Sequence, residues 1–183
     1  MLINIIQEFA QRMEHRLFEM TSKLTQQNDF AIIESELNQE CAQLNAALQQ
    51  AMLQALLREE HFLSVLKTYA GRCGMRLKAY RSLMLTLSNG QRIAIDSPYF
   101  IKAKRQERRQ KHRPNGSGAP IGLKVLGFIG RVSPGLLSDA LPTVLLCPSY
   151  ELARTVLKGR GIILNVKTLR RLCPLAGNVD ASV

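Results

Sequence analysis

Residues 149–174 read SYELARTVLKGRGIILNVKTLRRLCP, and this stretch decides the fold of the C-terminal part of the chain. Ser149 can cap a helix over Tyr150–Lys158, because its hydroxyl can accept a bond from an unpaired N–H of the first turn. The apolar residues on the predicted inner face of this helix are Leu152, Ala153, Val156 and Leu157. Gly159-Arg160-Gly161 predicts the helix end, since glycine adopts the left-handed conformation needed there.

A second, shorter helix is predicted over Val166–Leu172, capped by Asn165 and stopped by Cys173-Pro174. Val166, Leu169 and Leu172 share one face of it, and the residues that point elsewhere are Lys167, Thr168, Arg170 and Arg171. Two helices around a glycine turn are the outline of a helix-turn-helix, whose second helix can enter the major groove of DNA.

Roles follow from the chemistry of those four side chains. Lys167 and Thr168 could meet base edges or phosphates, and Arg170 and Arg171 could bind phosphates or guanine. The alternative is an ordinary solvated face, because basic amphipathic helices are common.

The segment before this pair is also expected to be helical. Pro120 opens a short apolar stretch, and Ser133-Pro134 predicts the start of a helix over Gly135–Leu146. The apolar residues of that helix are Leu136, Leu137, Leu141, Val144 and Leu145. Pro142 is expected to kink or split it, because proline lacks a backbone donor and clashes with the preceding turn.

Two long amphipathic helices are predicted for the N-terminal part. Apolar residues recur at intervals of three and four in the first, namely Leu2, Ile6, Phe9, Met13, Leu17, Met20 and Leu24. Asn28 or Asp29 can cap the second. Its stripe continues towards Leu56 and Leu66 and comprises Phe30, Ile33, Leu37, Cys41, Leu44, Leu48 and Met52. Such an antiparallel hairpin has a narrow core, so a homodimer and docking onto the rest of the chain both stay open.

A β-hairpin is predicted around Ser88-Asn89-Gly90, after Gly71 and Gly74 end the helical region. A two-residue Asn-Gly turn would mix apolar and charged side chains on one face. A three-residue loop with a left-handed Gly90 instead pairs Leu85 with Ile93 and Leu83 with Ile95, and we prefer this register. Ser97-Pro98 is expected to end the second strand, and Tyr99-Phe100 to pack beneath it.

Residues 102–113, KAKRQERRQKHR, are too charged to enter a core and contain Glu107 as their one acid. The cations of this stretch are Lys102, Lys104, Arg105, Arg108, Arg109, Lys111 and Arg113. A flexible connector rich in glycine, serine and proline follows over 114–120. We interpret 102–113 as a basic arm that lies along DNA phosphates, with a merely solvated linker as the alternative.

Charge is distributed unevenly along the 183 residues, whose net charge is +11. Residues 1–70 carry a net −4, whereas residues 71–183 carry +15. This asymmetry favours a helical assembly module followed by a polyanion-binding module, with double-stranded DNA as the favoured partner. A membrane surface is the weaker interpretation, because the apolar runs are short.

Cofactors, metals and a small-molecule substrate are not expected. Cys41, Cys73, Cys147 and Cys173 lie far apart, and the three histidines form no paired motif, so a zinc site is improbable. The glycines of the connector lack the lysine of a phosphate-binding loop, no serine has a catalytic context, and the acids after residue 70 are isolated. With no signal peptide recognised, reduced cysteines and a cytoplasmic location are expected.

Four stretches together resemble the N-terminal, non-catalytic region of bacterial insertion-sequence transposases of the DDE type. They are NDFAIIESELNQECAQLNAALQQAMLQALL, YRSLMLTLSNGQRIAIDSPYF, the basic arm with its connector, and RVSPGLLSDALPTVLLCPSYELARTVLKGRGIILNVKTLRRL. The resemblance extends from about Asp29 to Leu172 and implies that Lys167, Thr168, Arg170 and Arg171 bind the ends of a mobile element. It also implies a bacterial protein that associates with the nucleoid when bound to DNA.

Two departures from the family limit what the resemblance implies. Many relatives carry paired zinc-ribbon cysteines near the hairpin, where this chain has Cys73. The family's catalytic domain would follow this region, and no acidic triad can be assigned here, so strand cleavage by this chain is not expected. A truncated copy, a fragment and a repurposed regulator all remain open.

The predicted fold is therefore mainly α with a small β-hairpin, an N-terminal antiparallel helical hairpin and a C-terminal helix-turn-helix-like domain. The expected organisation is a helical assembly module (1–74), a β-hairpin (75–101), a basic arm (102–120), a DNA-binding domain (121–176) and a disordered tail (177–183). The predicted function is sequence-specific binding of double-stranded DNA. An RNA-binding protein and a protein-interaction scaffold with a basic arm are the alternatives.

Overall fold

A computed structural model of the chain describes residues 2–27, 30–102 and 118–176, with side chains for 2–22, 30–102 and 118–172. The fold is mainly helical with a small three-stranded antiparallel sheet, which confirms the coarse prediction. The elements are α1 (Leu2–Gln27), α2 (Phe30–Arg58), α3 (Glu60–Arg72), β1 (Met75–Thr86), β2 (Arg92–Lys102), β3 (Gly118–Ala119), α4 (Ile121–Val125), α5 (Pro134–Leu146), α6 (Tyr150–Gly159) and α7 (Val166–Ala176). The chain forms two compact units, Met1–Leu53 and Gln54–Val183.

In the first unit, two arginines of α1 contact one buried carboxylate of α2. Arg12 Nε lies 3.4 Å from Glu40 Oε2, and Arg16 Nη2 lies 3.5 Å from Glu40 Oε1. Met13 and Met20 of α1 are buried. The two helices therefore pack side by side over this stretch. The predicted caps of α2, Asn28 and Asp29, lie outside the described residues.

The predicted apolar stripes of the first unit are only partly buried. On α1, Leu2, Ile6 and Leu17 are between 41% and 52% exposed. On α2, Phe30 is 66% and Met52 is 62% exposed. The reason is geometric, because the α2 face that carries Glu40 lies beside α1 and leaves the stripe at its flank.

The prediction that α2 continues towards Leu66 is wrong, because the helix ends at Arg58. Glu59 takes an extended backbone conformation, and its carboxylate accepts bonds from the N–H groups of His61 and Phe62. Helix α3 therefore begins with its own cap. These two bonds lower the pKa of Glu59, because they stabilise its charged form.

The hairpin has the predicted register. Leu85 pairs with Ile93 and Leu83 with Ile95, and Gly90 has a φ of +77°. Leu85, Ile93 and Ile95 are buried. The three-residue loop is thus confirmed, and the burial of one face fixes the pairing.

The prediction that Ser97-Pro98 ends the second strand is wrong. Strand β2 continues to Lys102, so Tyr99-Phe100 lies within the strand and not beneath it. On the outer edge of β2, β3 pairs only with Phe100 and Ile101 among the described strands. Pro98 therefore meets no neighbouring strand on that edge, and its missing N–H costs no ladder bond.

The side chain of Gln54 pairs with the same edge of β2 at Asp96, two residues before Pro98. Its Oε1 accepts from the N–H of Asp96 at 2.9 Å, and its Nε2 donates to the carbonyl of Asp96 at 3.1 Å. A side-chain amide thus satisfies the two backbone groups that a third strand would otherwise pair.

Strand β1 is longer than the alternation around its leucines predicts. It begins at Met75, and its register shifts between Leu77 and Ala79. Because of this bulge, Met75 and Leu77 face the side of the sheet opposite to Leu83 and Leu85. Met75 and Leu77 pack there against a core cluster of Leu66, Ala70, Phe100 and Ile121, which joins α3 and α4 to the sheet.

The end of the predicted flexible connector is ordered. Gly118 and Ala119 form β3 against the end of β2, and Tyr99 Oη donates to the carbonyl of Gly118 at 2.8 Å. A Cβ on Gly118 would lie 2.3 Å from a ring atom of Tyr99. Glycine is therefore required here for the strand to approach the tyrosine. Residues 103–117 and the predicted tail at 177–183 lie outside the described residues.

Helices α5, α6 and α7 surround one core. It consists of Val132, Leu136, Leu137, Ala140, Ala153, Leu157, Ile162, Leu164, Leu169 and Leu172, all buried. The cap and first proline of α5 are as predicted, since Ser133 Oγ accepts from the N–H of Leu136. Helix α5 is continuous through Pro142, so it is not split there.

Two details of this unit differ from the predictions. Leu152 and Val156, predicted on the inner face of α6, are 45% and 38% exposed, because the buried face of α6 is narrower than its apolar pattern. Helix α7 runs through Cys173-Pro174 to Ala176, so the predicted stop is wrong. A proline removes one helical bond, and the turns on either side can persist.

Candidate nucleic-acid interface

Helix α6 starts and ends as its sequence predicts. Ser149 Oγ accepts from the N–H of Leu152 at 3.2 Å. Gly161, with a φ of +78°, reverses the chain after the helix, and Ile162 and Leu164 are buried in the core. These two side chains anchor the connection over 160–165, so α7 starts from a fixed position.

The start of α7 is held by Asn165. Its Oδ1 accepts from the N–H of Thr168 at 2.7 Å and from the hydroxyl of Thr168 at 2.9 Å. This cap satisfies one of the unpaired donors of the first turn. The hydroxyl proton of Thr168 is used inside the protein, and its oxygen keeps acceptor capacity.

Helix α7 has two chemically different faces. Leu169 is fully buried and Leu172 is 4% exposed, and both belong to the three-helix core. Lys167, Arg170 and Arg171 are exposed, and none of them forms an ion pair within the described part of the chain. Their charge is therefore directed to solvent.

Arg170 is partly ordered by an aromatic ring. Its guanidinium carbon lies 5.6 Å from the ring centroid of Tyr150, the first residue of α6. Tyr150 packs against the three-helix core. A stacked guanidinium keeps its N–H groups free for a ligand while losing less conformational entropy on binding.

The tip of the β-hairpin packs against the connection between α6 and α7. A Cβ on Gly90 would lie 2.2 Å from the carbonyl oxygen of Gly161 and 3.5 Å from the Cα of Ile162. A Cβ on Gly135, at the start of α5, would lie 3.3 Å from Ser88. The hairpin loop therefore touches both the turn that precedes α7 and the first turn of α5.

Basic side chains dominate the surface around these helices. Residues 118–172 contain eight Lys or Arg and two acids, Asp139 and Glu151. Glu151 is 3.2 Å from Arg154 in the same helix. The local field is therefore strongly positive and attracts polyanions.

Of the predicted arm cations, the structure describes Lys102, the exposed last residue of β2. The others lie outside the described residues, namely Lys104, Arg105, Arg108, Arg109, Lys111 and Arg113.

Exposed cations on β1 were missed by the sequence analysis. Arg76, Lys78 and Arg81 are exposed, and the guanidinium of Arg81 lies 4.1 Å from the ring centroid of Tyr99. The alternation of Met75 and Leu77 with Arg76 and Lys78 could have revealed the early strand, but the bulge interrupts its period.

Comparison with protein-family models, with curated proteins and with solved structures found no match to this chain. Among the described helices, none combines the length and apolar content needed to cross a membrane.

Proposed function

We propose that the chain binds double-stranded DNA sequence-specifically, with α6 and α7 acting as a helix-turn-helix. The observation that carries this proposal is the division of α7. Leu169 and Leu172 fix it to the core, while Lys167, Arg170 and Arg171 are exposed and form no ion pair within the described residues. A helix held in this way can enter a major groove without rearrangement.

Each residue of α7 has a role in this proposal. Arg170 and Arg171 bind guanine edges or phosphates through their planar guanidinium groups, and Lys167 binds a phosphate or base edge near the helix start. Thr168 contributes its hydroxyl oxygen and holds the cap with Asn165. The arm at 102–113 adds phosphate contacts that do not depend on sequence.

The N-terminal helices are proposed to form a homodimer through an antiparallel helical hairpin. Phe30, Cys41 and Met52 recur at intervals of eleven residues along α2, and all three are exposed. On α1, Phe18 is 79% and Ile3 is 69% exposed. A second copy can bury such side chains, and a dimer would bring two copies of the DNA-binding helix into one assembly.

The proposed origin is the non-catalytic region of an insertion-sequence transposase, acting in recognition of transposon ends or in their regulation. We propose no strand cleavage by these residues. Binding to structured RNA, and a scaffold role with acidic protein partners, are the competing functions.

The test is a binding selection on random duplex DNA at near-physiological salt, followed by titration of the selected site. We expect Lys167→Ala/Arg170→Ala/Arg171→Ala to lower affinity for that site by about 100-fold or more, because each good base contact contributes about 1–3 kcal/mol. Full retention of affinity by this variant would contradict the proposal.

A charge-matched control distinguishes recognition from general attraction. Lys124→Ala/Arg131→Ala/Lys158→Ala removes the same charge from exposed positions outside α7. We expect this control to weaken binding to selected and random duplexes equally, whereas the α7 variant should lose the preference itself. Equal affinity of the wild type for structured RNA would favour the RNA-binding function.

A further inference from the structure

The region between Glu60 and Asp96 contains six Lys or Arg and no acidic residue. Three of these cations come together where the sheet begins. Arg72 is the last residue of α3, and Arg76 and Lys78 are the second and fourth residues of β1. The register pairs Met75 with Lys102, so a fourth cation ends the adjacent strand, on the sheet face opposite to Arg76. We call Arg72, Arg76, Lys78 and Lys102 the sheet-end cluster.

All four side chains of the sheet-end cluster are exposed. None makes an ion pair within the residues that the structure describes. Four uncompensated positive charges on adjoining elements repel one another, so this arrangement weakens the fold slightly unless a polyanion neutralises it.

The backbone beneath the cluster is rigid. Met75 and Leu77 alternate with the cations and pack against the core formed by Leu66, Ala70 and Phe100. The bulge falls at Lys78, between Leu77 and Ala79, and bulges commonly redirect a side chain at a functional surface. The cations are therefore displayed from a fixed support and not from a free loop.

Strand length separates this cluster from the tip of the hairpin. Strand β1 has twelve residues, which span about 35 Å at the usual rise of a strand. The other end of the hairpin, at Gly90, packs against Gly161 in the connection that precedes α7. The helical repeat of B-DNA is also about 35 Å, or roughly ten base pairs.

We propose that the sheet-end cluster is a second DNA-binding surface, which contacts the sugar–phosphate backbone of the same duplex about one helical turn from α7. This inference rests on the proposed function, because α7 supplies the first contact. The cluster adds affinity and sets the minimum length of DNA, and it carries no sequence preference.

The chemistry of the surface favours phosphates over an added peptide strand. The outward edge of β1 is unpaired among the described strands, except where Thr86 meets Arg131 to Ser133. A peptide added there would need pockets for alternate side chains. The residues from Ala79 to Ser82 are all exposed, whereas the cations are spread over three elements, as contact with a curved backbone of phosphates requires.

The experiment compares duplexes of about 12 and about 24 base pairs that share one selected site, since the longer duplex reaches one turn further. Wild-type protein should bind the longer duplex about tenfold more tightly or better. Arg72→Ala/Arg76→Ala/Lys78→Ala should lose this advantage and bind the short duplex as wild type does. The slope of log K against log salt on the long duplex should fall by about 2.7, because each lost phosphate contact removes about 0.9.

The controls separate the possible failures. The Lys124→Ala/Arg131→Ala/Lys158→Ala variant should keep the length advantage, and thermal unfolding should show that both variants are folded. If wild type ignores every duplex, the proposed function fails. If wild type binds but the cluster variant keeps both the length advantage and the salt slope, the second surface alone is refuted. Loss of binding to poly-glutamate with unchanged DNA binding would also overturn it, in favour of an acidic protein partner.

Discussion

The two units of the chain differ in how completely they bury their apolar side chains. In the unit of residues 54–183, ten buried residues around α5, α6 and α7 form a closed core, and the exposed surface is rich in cations. In the unit of residues 1–53, large apolar side chains such as Phe18 and Phe30 remain exposed, and a buried carboxylate lies between the helices. The first arrangement leaves a polar surface free for a ligand, whereas the second calls for further apolar contact.

The largest expected effect tests how the closed unit is held together. Gly90→Ala should lower the free energy of unfolding by about 3 kcal/mol, because it adds left-handed strain to a backbone clash with Gly161. Denaturant unfolding measures this. Gly130→Ala is the matched control, since Gly130 has a φ of +64° and nothing within 4 Å of an added Cβ. That control should cost about 1 kcal/mol, and an equal cost for both would show that the contact is unimportant.

Self-association tests the open unit. Leu37 is 39% exposed on α2, and Leu37→Lys should raise the dissociation constant of a homodimer about tenfold or more, because it replaces an apolar contact with a charge. Light scattering over a concentration series measures the change. Gln39→Lys introduces the same charge on the opposite side of the helix and should leave dimerisation intact. A monomeric wild type at all concentrations would refute the dimer.

A smaller effect is expected at the start of α7. Asn165→Ala should cost about 1 kcal/mol of stability and weaken DNA binding, because the first turn carries Lys167 and loses its cap. Ser149→Ala removes the equivalent cap from α6 and should cost a similar amount while sparing DNA affinity. Asn165→Asp should restore stability, since a carboxylate also caps. Equal DNA binding by both alanine variants would argue against α7 as the binding helix.

The smallest effect concerns the pH dependence of α3. The folded pKa of Glu59 is lowered by its bonds to the N–H groups of Phe62 and His61, so its stabilising contribution is fully present above the pKa of the unfolded carboxyl group. It is lost as pH falls through the lowered folded pKa. NMR titration of the carboxyl group and acid unfolding of Glu59→Gln measure this contribution. Glu60→Gln, which alters the adjacent carboxylate, should retain the wild-type acid response.

Features set by local chemistry were predictable from the sequence. The caps Ser133, Ser149 and Asn165 each depend on one side chain and the backbone within three residues of it. The hairpin register follows from Gly90 and from the matching of Leu85 with Ile93. Short-range rules apply because no distant contact competes with them.

Features set by distant partners were not predictable in this way. Pro98 is typical of a strand end, since a proline inside a strand is tolerated only where its missing N–H would face an unpaired edge. Which edge of β2 lacks a neighbour at Pro98 depends on where β3 pairs, and the local sequence does not reveal it. Glu59 looked like the interior of a long helix, since glutamate is a rare cap. For α7, the sequence could name Lys167, Arg170 and Arg171, but their exposure depends on how Leu169 enters a core built from three helices. The exposed cations of β1 were not predicted, because the bulge between Leu77 and Ala79 interrupts the alternation of the strand.

The outer edge of β2 has a consequence for how the folded chain meets other chains. Gln54 occupies the N–H and carbonyl of Asp96, Pro98 has no hydrogen to offer, and β3 pairs with Phe100 and Ile101. A foreign strand that approaches this edge finds most of the backbone groups between Asp96 and Ile101 paired or, at Pro98, without a donor. This part of the central strand is therefore a poor template for aggregation of the folded chain.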